Sequence, residues 1–180
     1  QTASARGGMG GRSDALVWRI AGSAFTTQGI SARSNGTGAD GYTRRSASGS
    51  AQLNLSSAAS LDLRGYWASA RNEFDGTSGD TLAYGLTEEW TAYAGLNLAL
   101  FDGRFRNRFA VLEGRTAREN YDPARTIRTL NFDANGRSRR YEYQGTFTVS
   151  PAVEAVFGAE REEHRMTTAS PGNTTTPYVL

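Results

Sequence analysis

An alternation of apolar and polar residues with a period of two is the feature that most constrains the fold of this chain. From Ala47 to Leu55 every second residue is Ala, Gly or Leu, and Ser, Gln and Asn stand between them. The same one-sided pattern runs from Trp90 to Leu100. Successive side chains of a β-strand point to opposite faces, whereas a helix repeats every 3.6 residues. We therefore predict β-strands with one apolar and one polar face.

Seven segments pass this test, and an eighth, near Thr2 to Met9, is shorter and more polar. Asn107 and Glu113 fall on the apolar side of their strand, which predicts a bulge or positions near solvent. The connections alternate in length, and the long ones are rich in Gly, Ser, Thr, Asn and Asp. The seven segments are 15–27, 44–55, 61–67, 90–100, 105–111, 141–149 and 153–159. Short connections are expected at 10–14, 56–60, 101–104 and 150–152, and long ones at 28–42, 72–87, 119–138 and 164–180.

The composition excludes several classes of function. The 180 residues include 20 basic and 18 acidic side chains, for a net charge of +2, so we expect no nucleic-acid partner. Cysteine is absent, which rules out disulfides, thiol nucleophiles and cysteine-bound zinc. A single histidine, His164, offers no catalytic or zinc cluster, and we predict that the chain is not an enzyme. Apolar residues make up 38%, which is little for a dry core.

Strands of about ten residues with one apolar face, joined by short turns at one end only, are typical of outer-membrane β-barrels. We therefore predict an all-β fold: an antiparallel transmembrane β-barrel fragment of about seven to eight meander strands, with short periplasmic turns and long extracellular loops. A soluble β-sandwich is the alternative, but its loops need not differ in length between the two ends. No stretch has the run of about 18 apolar residues of a membrane helix, and the start lacks the apolar region of a signal peptide, so any export signal lies outside this chain.

Side chains on both faces agree with a barrel. Aromatic residues near strand starts suit the interfacial girdles of a barrel, and core aromatics are the alternative. Charged residues on the polar face would be costly in a dry core and tolerable in a water-filled lumen. The aromatic residues are Trp18, Trp90, Phe105, Tyr141 and Tyr143, and the charged ones are Arg19, Asp62, Arg64, Arg106, Arg108, Glu142, Glu154 and Glu160. Eight strands left open would expose unpaired edges to lipid, so we interpret residues 1–180 as part of a larger barrel.

Six short segments, in order, resemble the middle barrel strands of TonB-dependent outer-membrane receptors, most closely the cobalamin-receptor branch. The resemblance covers roughly residues 15–168. Its landmarks are Gly-Ala-Asp-Gly-Tyr at 38–42, Leu-Asp-Leu-Arg-Gly-Tyr at 61–66, Phe-Asp-Gly at 74–76, Gly-Asp-Thr at 79–81, Asn-Tyr-Asp-Pro at 120–123 and Phe-Gly-Ala-Glu at 157–160. The resemblance implies a plugged barrel of about 22 strands in the outer membrane, energised through TonB. It implies that the plug, which contacts TonB, lies outside this chain.

The same resemblance implies site residues. Cobalamin receptors bind calcium with acids of the early outer loops, and Asp40, Asp75 and Asp80 are the carboxylates in similar positions here. Carboxylates from two adjacent loops suit a hard cation, and the competing interpretation is turn-forming Asp next to Gly. The first loop, 28–42, contains Asp40 alone, where the family has several acids. Tyr42 would line the entrance of the ligand, or only pack within the loop.

We therefore predict a segment of an outer-membrane transporter that imports cobalamin or a related corrinoid, with outer-membrane lipid, the TonB complex and calcium as its partners. Two alternatives stay open. One is a receptor for a siderophore or another scarce nutrient, and the other is a structural or adhesive surface β-domain without a transport role. A plug region in the parent protein would contradict the second alternative.

Overall fold

The computed structural model describes residues 1–31, 38–76, 79–124 and 129–170 and the backbone of 173–179. These residues form nine β-strands in one antiparallel sheet, in which each strand pairs with the next one in the chain. No helix in the described part of the chain is long and apolar enough to cross a membrane. The strands are β1 (Thr2–Arg12), β2 (Leu16–Thr27), β3 (Tyr42–Ser56), β4 (Ala59–Glu73), β5 (Tyr84–Leu100), β6 (Phe105–Tyr121), β7 (Leu130–Ser150), β8 (Val153–Ser170) and β9 (Asn173–Val179).

The predicted all-β meander is confirmed, and the seven predicted segments lie in strands except for Ala15, which precedes β2. The short eighth segment is β1. The prediction of a long connection at 164–180 is wrong, because β8 continues to Ser170 and β9 follows. Likewise, β7 begins at Leu130, well inside the connection predicted at 119–138. The added parts of β7 and β8 carry polar residues on both faces, which is why the sequence shows no alternation there. Their backbones nevertheless continue to pair.

The two ends of the sheet differ in their connections. One end, which we call the turn end, has the links 13–15, 57–58, 101–104 and 151–152. The other, the loop end, has the links 28–41, 74–83, 122–129 and 171–172, so the alternation of short and long holds until the last of them. The short connection predicted at 101–104 is a tight turn, in which Asp102 and Gly103 have φ of 56° and 84°, a left-handed region that glycine adopts without strain.

The pairing register places the apolar positions of β1 to β8 on one face, since directly opposed residues of antiparallel strands share a face. This apolar face is uncovered: Leu63 and Trp67 are each 38% exposed and Phe157 is 48% exposed. Among the described residues, the only buried apolar side chains are Ala68, Ala83 and Ala110. There is thus no core between two layers, as a β-sandwich would have, and the described sheet is open because β1 and β9 do not pair.

The apolar face is a band that crosses the strands obliquely. Trp67 is its last apolar position toward the loop end on β4, and the pairing row of Trp67 reaches Arg165 on β8. On β8, however, the apolar positions end at Ala159, six residues nearer the turn end. The edge of the band nearest the turn end is displaced in the same direction. It lies at Ala59 on β4, whose pairing row reaches Phe157 on β8, whereas on β8 it lies at Val153, four residues nearer the turn end. Over the four steps from β4 to β8 the two edges shift by six and by four residues, or about 1 to 1.5 residues per strand. With a rise of about 3.3 Å per residue and strands about 4.8 Å apart, the strands are tilted roughly 35–45° from the perpendicular to the band.

Asn107 and Glu113, the two polar residues on the apolar side of β6, have different explanations, and neither is a bulge. The pairing of β6 with β7 is regular from Phe105 to Asn120. Asn107 is 7% exposed, and its Oδ1 accepts a 2.9 Å hydrogen bond from the Tyr143 hydroxyl, so the prediction of a bulge or a solvent position is wrong for it. Glu113 lies just beyond the band, where it forms ion pairs with Arg137 and Arg139.

Candidate functional site

The polar face carries a network of charged and aromatic side chains between the two ends of the sheet. Arg108 donates a 2.6 Å hydrogen bond to the Tyr93 hydroxyl, and the guanidinium of Arg64 lies 5.3 Å from the centroid of the same ring. Arg106 pairs with Glu154 at 2.7 Å. Arg64, Arg106, Arg108 and Glu154 are among the charged residues predicted for the lumen, and all four are exposed. The arrangement fits a surface that faces water.

Two loops that follow each other along the loop end are in direct contact. The amide of Gly38 in the first loop donates a 2.9 Å hydrogen bond to Asp80 Oδ2 in the second. The hydroxyl of Ser31 donates a 3.5 Å bond to Asp75 Oδ2. Glu73, the last residue of β4, accepts a 3.1 Å bond from the amide of Gly41 through its carboxylate. The loops 28–41 and 74–83 therefore form one composite surface, of which residues 32–37 and 77–78 lie outside the described part.

The predicted metal ligands all lie on this composite surface. Asp75 Oδ1 accepts a 3.3 Å bond from the amide of Thr81, and Asp80 holds the first loop through Gly38. The backbone amide of Asp40 donates a 3.2 Å bond to the carbonyl of Ile30. Among the described residues no three acidic or imidazole side chains gather into a metal-binding group. Asp75 thus bonds within its own loop and to Ser31 of the first loop, and Asp80 bonds to the first loop. A calcium ion at these loops stays a prediction.

Tyr42 lies directly below the first loop, on the polar face, where it begins β3. Its ring is 6.0 Å from the ring of Phe25 on β2. Two residues further along β3, Arg44 donates hydrogen bonds of 2.6 Å to the Tyr66 hydroxyl and 2.8 Å to Glu89 Oε1. We call Tyr42, Arg44, Tyr66 and Glu89 the entrance cluster. It presents a cation, a carboxylate and aromatic rings beneath the two loops, which suits binding of a large polar ligand.

Arg44, Tyr66, Glu89 and Glu73 were not predicted as site residues. The first three stand on the polar parity of three different strands, so alternation places each of them on the right face. Their meeting depends on the register, since Arg44 pairs with Ala70 on β4 and Tyr66 pairs with Ser48 on β3. Long side chains reach diagonally between these rows. To predict the cluster from the sequence, one would have needed to know the register of β3, β4 and β5.

Comparison with known proteins adds no family to these observations. The chain matches no protein-family model and no curated protein. The resemblance to TonB-dependent receptors therefore stays a prediction that depends on its ordered landmarks. The structure places the landmarks 38–42, 74–76 and 79–81 side by side at the loop end.

The contact between the two loops can be tested by substituting Asp80. Asp80→Ala removes the acceptor for the Gly38 amide, and a hydrogen bond to a partly exposed carboxylate stabilises by an amount equivalent to about a tenfold change in an equilibrium constant. We expect the amide of Gly38 to exchange about tenfold faster in the variant, measured by hydrogen–deuterium exchange of peptides that span residues 38–42. Asp122→Ala is the matched control, because Asp122 caps a turn of the third loop through Ala124. Equal acceleration in both variants would show that Asp80 does not hold the first loop.

Proposed function

We propose that this chain is a wall segment of an outer-membrane β-barrel transporter. The observation that carries the proposal is the oblique apolar band on an open meander sheet with no covering layer. A band of exposed apolar side chains of this extent is unstable in water and stable against hydrocarbon. The opposite face, with its ion pairs and hydrogen-bonded arginines, then lines an aqueous lumen.

The open edges of the sheet support a larger barrel. β1 and β9 each have one edge without a partner strand among the described residues. In lipid every backbone amide and carbonyl has to be hydrogen-bonded within the protein, because each unsatisfied group costs several kcal/mol. The proposed barrel is therefore completed by further strands of the same protein. We assign the turn end to the periplasm and the loop end to the outside, since long loops of such barrels are extracellular.

For the cargo we propose cobalamin or a related corrinoid, captured at the composite loop surface and the entrance cluster, with energy supplied through TonB. The support is the set of ordered landmarks, several of which meet at the loop end. The entrance cluster adds ring faces and charged groups to the mouth of the lumen. An iron chelate or another scarce nutrient is the alternative cargo, and a surface β-domain without transport is the alternative function.

The experiment is equilibrium binding of cobalamin to the complete receptor in detergent, with calcium and with a chelator. We expect binding that calcium strengthens and that Asp75→Ala weakens at least about tenfold, as for the loss of one carboxylate from an oxygen-ligand site. Asp122→Ala, in a different loop, is the control and keeps the affinity of the wild type. Loss of affinity in Asp75→Ala without any effect of calcium would assign Asp75 to loop structure alone.

The same experiment separates the parts of the proposal. No cobalamin binding under either condition would reject the corrinoid and leave the barrel, and iron chelates would then be tested in the same assay. The barrel itself is tested by a separate measurement of insertion into lipid vesicles. A complete protein that fails to enter them would reject the barrel.

A further inference from the structure

We propose that the apolar face carries a binding site for the phosphate of an anionic membrane lipid, at the edge of the band nearest the loop end on β6, β7 and β8. The inference builds on the proposed membrane position of the band. It concerns five arginines on the apolar parity of these strands, which we call the arginine patch: Arg115, Arg137, Arg139, Arg161 and Arg165.

The core of the patch is a row of three arginines. Arg115 pairs with Arg137 across β6 and β7, and Arg137 pairs with Arg165 across β7 and β8, so all three side chains share one face. Like charges directly opposite each other destabilise a sheet, because the Cβ atoms are only about 5 Å apart. An anion placed over the row would remove this repulsion.

The acids of the patch leave part of the row without a counter-charge. Glu113 pairs with Arg137 and with Arg139, and Glu163 pairs with Arg161. Arg115 donates a 3.0 Å hydrogen bond to the neutral amide oxygen of Asn135. In the described part of the chain neither Arg115 nor Arg165 forms an ion pair, and both are exposed. Within the patch five positive charges thus stand against two negative ones, and the next acids on the same face, Glu88, Glu119 and Asp133, lie two to four residues nearer the loop end.

The position of the patch identifies the occupant as a lipid. Its row continues on β5 with Trp90 and on β4 with Trp67, the last apolar positions of the band on those strands. On β6 the band ends at Val111, four residues before Arg115, and on β8 it ends at Ala159, two residues before Arg161 and six before Arg165. The patch therefore covers the region directly beyond the apolar edge, where headgroups stand. On β4 and β5 the residues just past the band are Ser69 and Glu88, so the basic excess is confined to β6–β8. A soluble anion would have no need of a site beside a hydrocarbon surface.

Arginine is suited to this ligand. The planar guanidinium donates two parallel hydrogen bonds to two phosphate oxygens, and three adjacent guanidinium groups can surround one phosphate. The acyl chains of the same lipid would lie along the exposed band, next to Tyr141 and Phe109, which are 44% and 46% exposed. One ligand therefore satisfies both the charge and the apolar surface.

The test uses the complete receptor in nanodiscs of equimolar phosphatidylglycerol and phosphatidylcholine, followed by partial delipidation and mass spectrometry of the retained lipid. We expect the wild type to retain phosphatidylglycerol preferentially. Arg115→Gln/Arg165→Gln removes the two arginines that form no ion pair, so the fold is preserved, and we expect the preference to fall at least about tenfold, at about fivefold for each basic residue. Arg12→Gln/Arg19→Gln removes the same charge from the polar face and is the matched control.

Three outcomes would overturn the inference. They are equal retention of both lipids by the wild type, an equal loss of preference in the control variant, and displacement of the lipid by inorganic phosphate alone, which would indicate a site for a soluble anion. Failure of this inference is distinguishable from failure of the proposed function. A receptor that enters nanodiscs and shows no lipid preference rejects the arginine patch only, whereas a protein that does not enter them rejects the membrane assignment as well.

Discussion

Leu63→Arg should destabilise the protein in a lipid bilayer by about 2–4 kcal/mol, the cost of an arginine at the midplane on the lipid face of a barrel. Leu63 lies midway along the apolar stretch of β4, between Ala59 and Trp67, and its side chain is 38% exposed. In the proposed membrane position this exposed surface faces hydrocarbon. A guanidinium there has neither water nor a carboxylate partner. The measurement is equilibrium unfolding and refolding of the complete protein in lipid vesicles.

The matched control is Gln52→Arg, which adds the same side chain to the opposite face. Gln52 is exposed on the polar face of β3 and pairs directly with Asp62, the chain neighbour of Leu63. A cation opposite a carboxylate is neutral or mildly stabilising, so we expect a change within about 1 kcal/mol. Equal destabilisation by both substitutions would mean that the apolar face does not contact lipid. A soluble protein with another subunit on this face would be the simplest explanation of that result.

Much of the fold could be predicted from the sequence, because a strand with one apolar face shows an alternation of period two in its sequence. β3 and β5 show this alternation most clearly, from Ala47 to Leu55 and from Trp90 to Leu100. The part of β7 between Leu130 and Tyr141 leaves none, since Asp133, Arg137 and Arg139 stand on the parity that is apolar further along. Backbone hydrogen bonding does not depend on side-chain polarity, so strands continue beyond the band without an alternation to reveal them.

The candidate site was less predictable. The landmarks identified Asp40, Asp75, Asp80 and Tyr42, and the structure places these four residues at one end of the sheet. The link between Asp80 and Gly38 joins residues far apart in the chain, and it depends on the path of two loops. The arginine patch was hidden for another reason. Each of its members looks like an ordinary exposed charge, and only the register aligns Arg115, Arg137 and Arg165 in one row.

The second large effect is expected for Ala94→Pro in the middle of β5. Ala94 pairs with Leu63 on β4 and with Val111 on β6, so it belongs to two hydrogen-bonded ladders. Proline has no amide hydrogen and is found in sheets almost only at edges and bulges. In lipid the carbonyl that loses its donor cannot turn to water, which makes the loss larger than in a soluble sheet. We expect destabilisation of about 3 kcal/mol or more, or failure to assemble in the membrane.

Ser57→Pro provides the control for this prediction. Ser57 lies in the turn between β3 and β4, at the turn end, and it follows Ser56, whose extended conformation is the one that precedes proline most readily. Proline is favoured at the second position of such turns, so the change in stability should stay within about 1 kcal/mol. Both variants are compared by the heat-modifiable migration of the folded barrel in gels and by refolding into vesicles. Normal assembly of the Ala94→Pro variant would show that β5 is not an interior strand, and would remove the continuous sheet on which the apolar band, the entrance cluster and the arginine patch all depend.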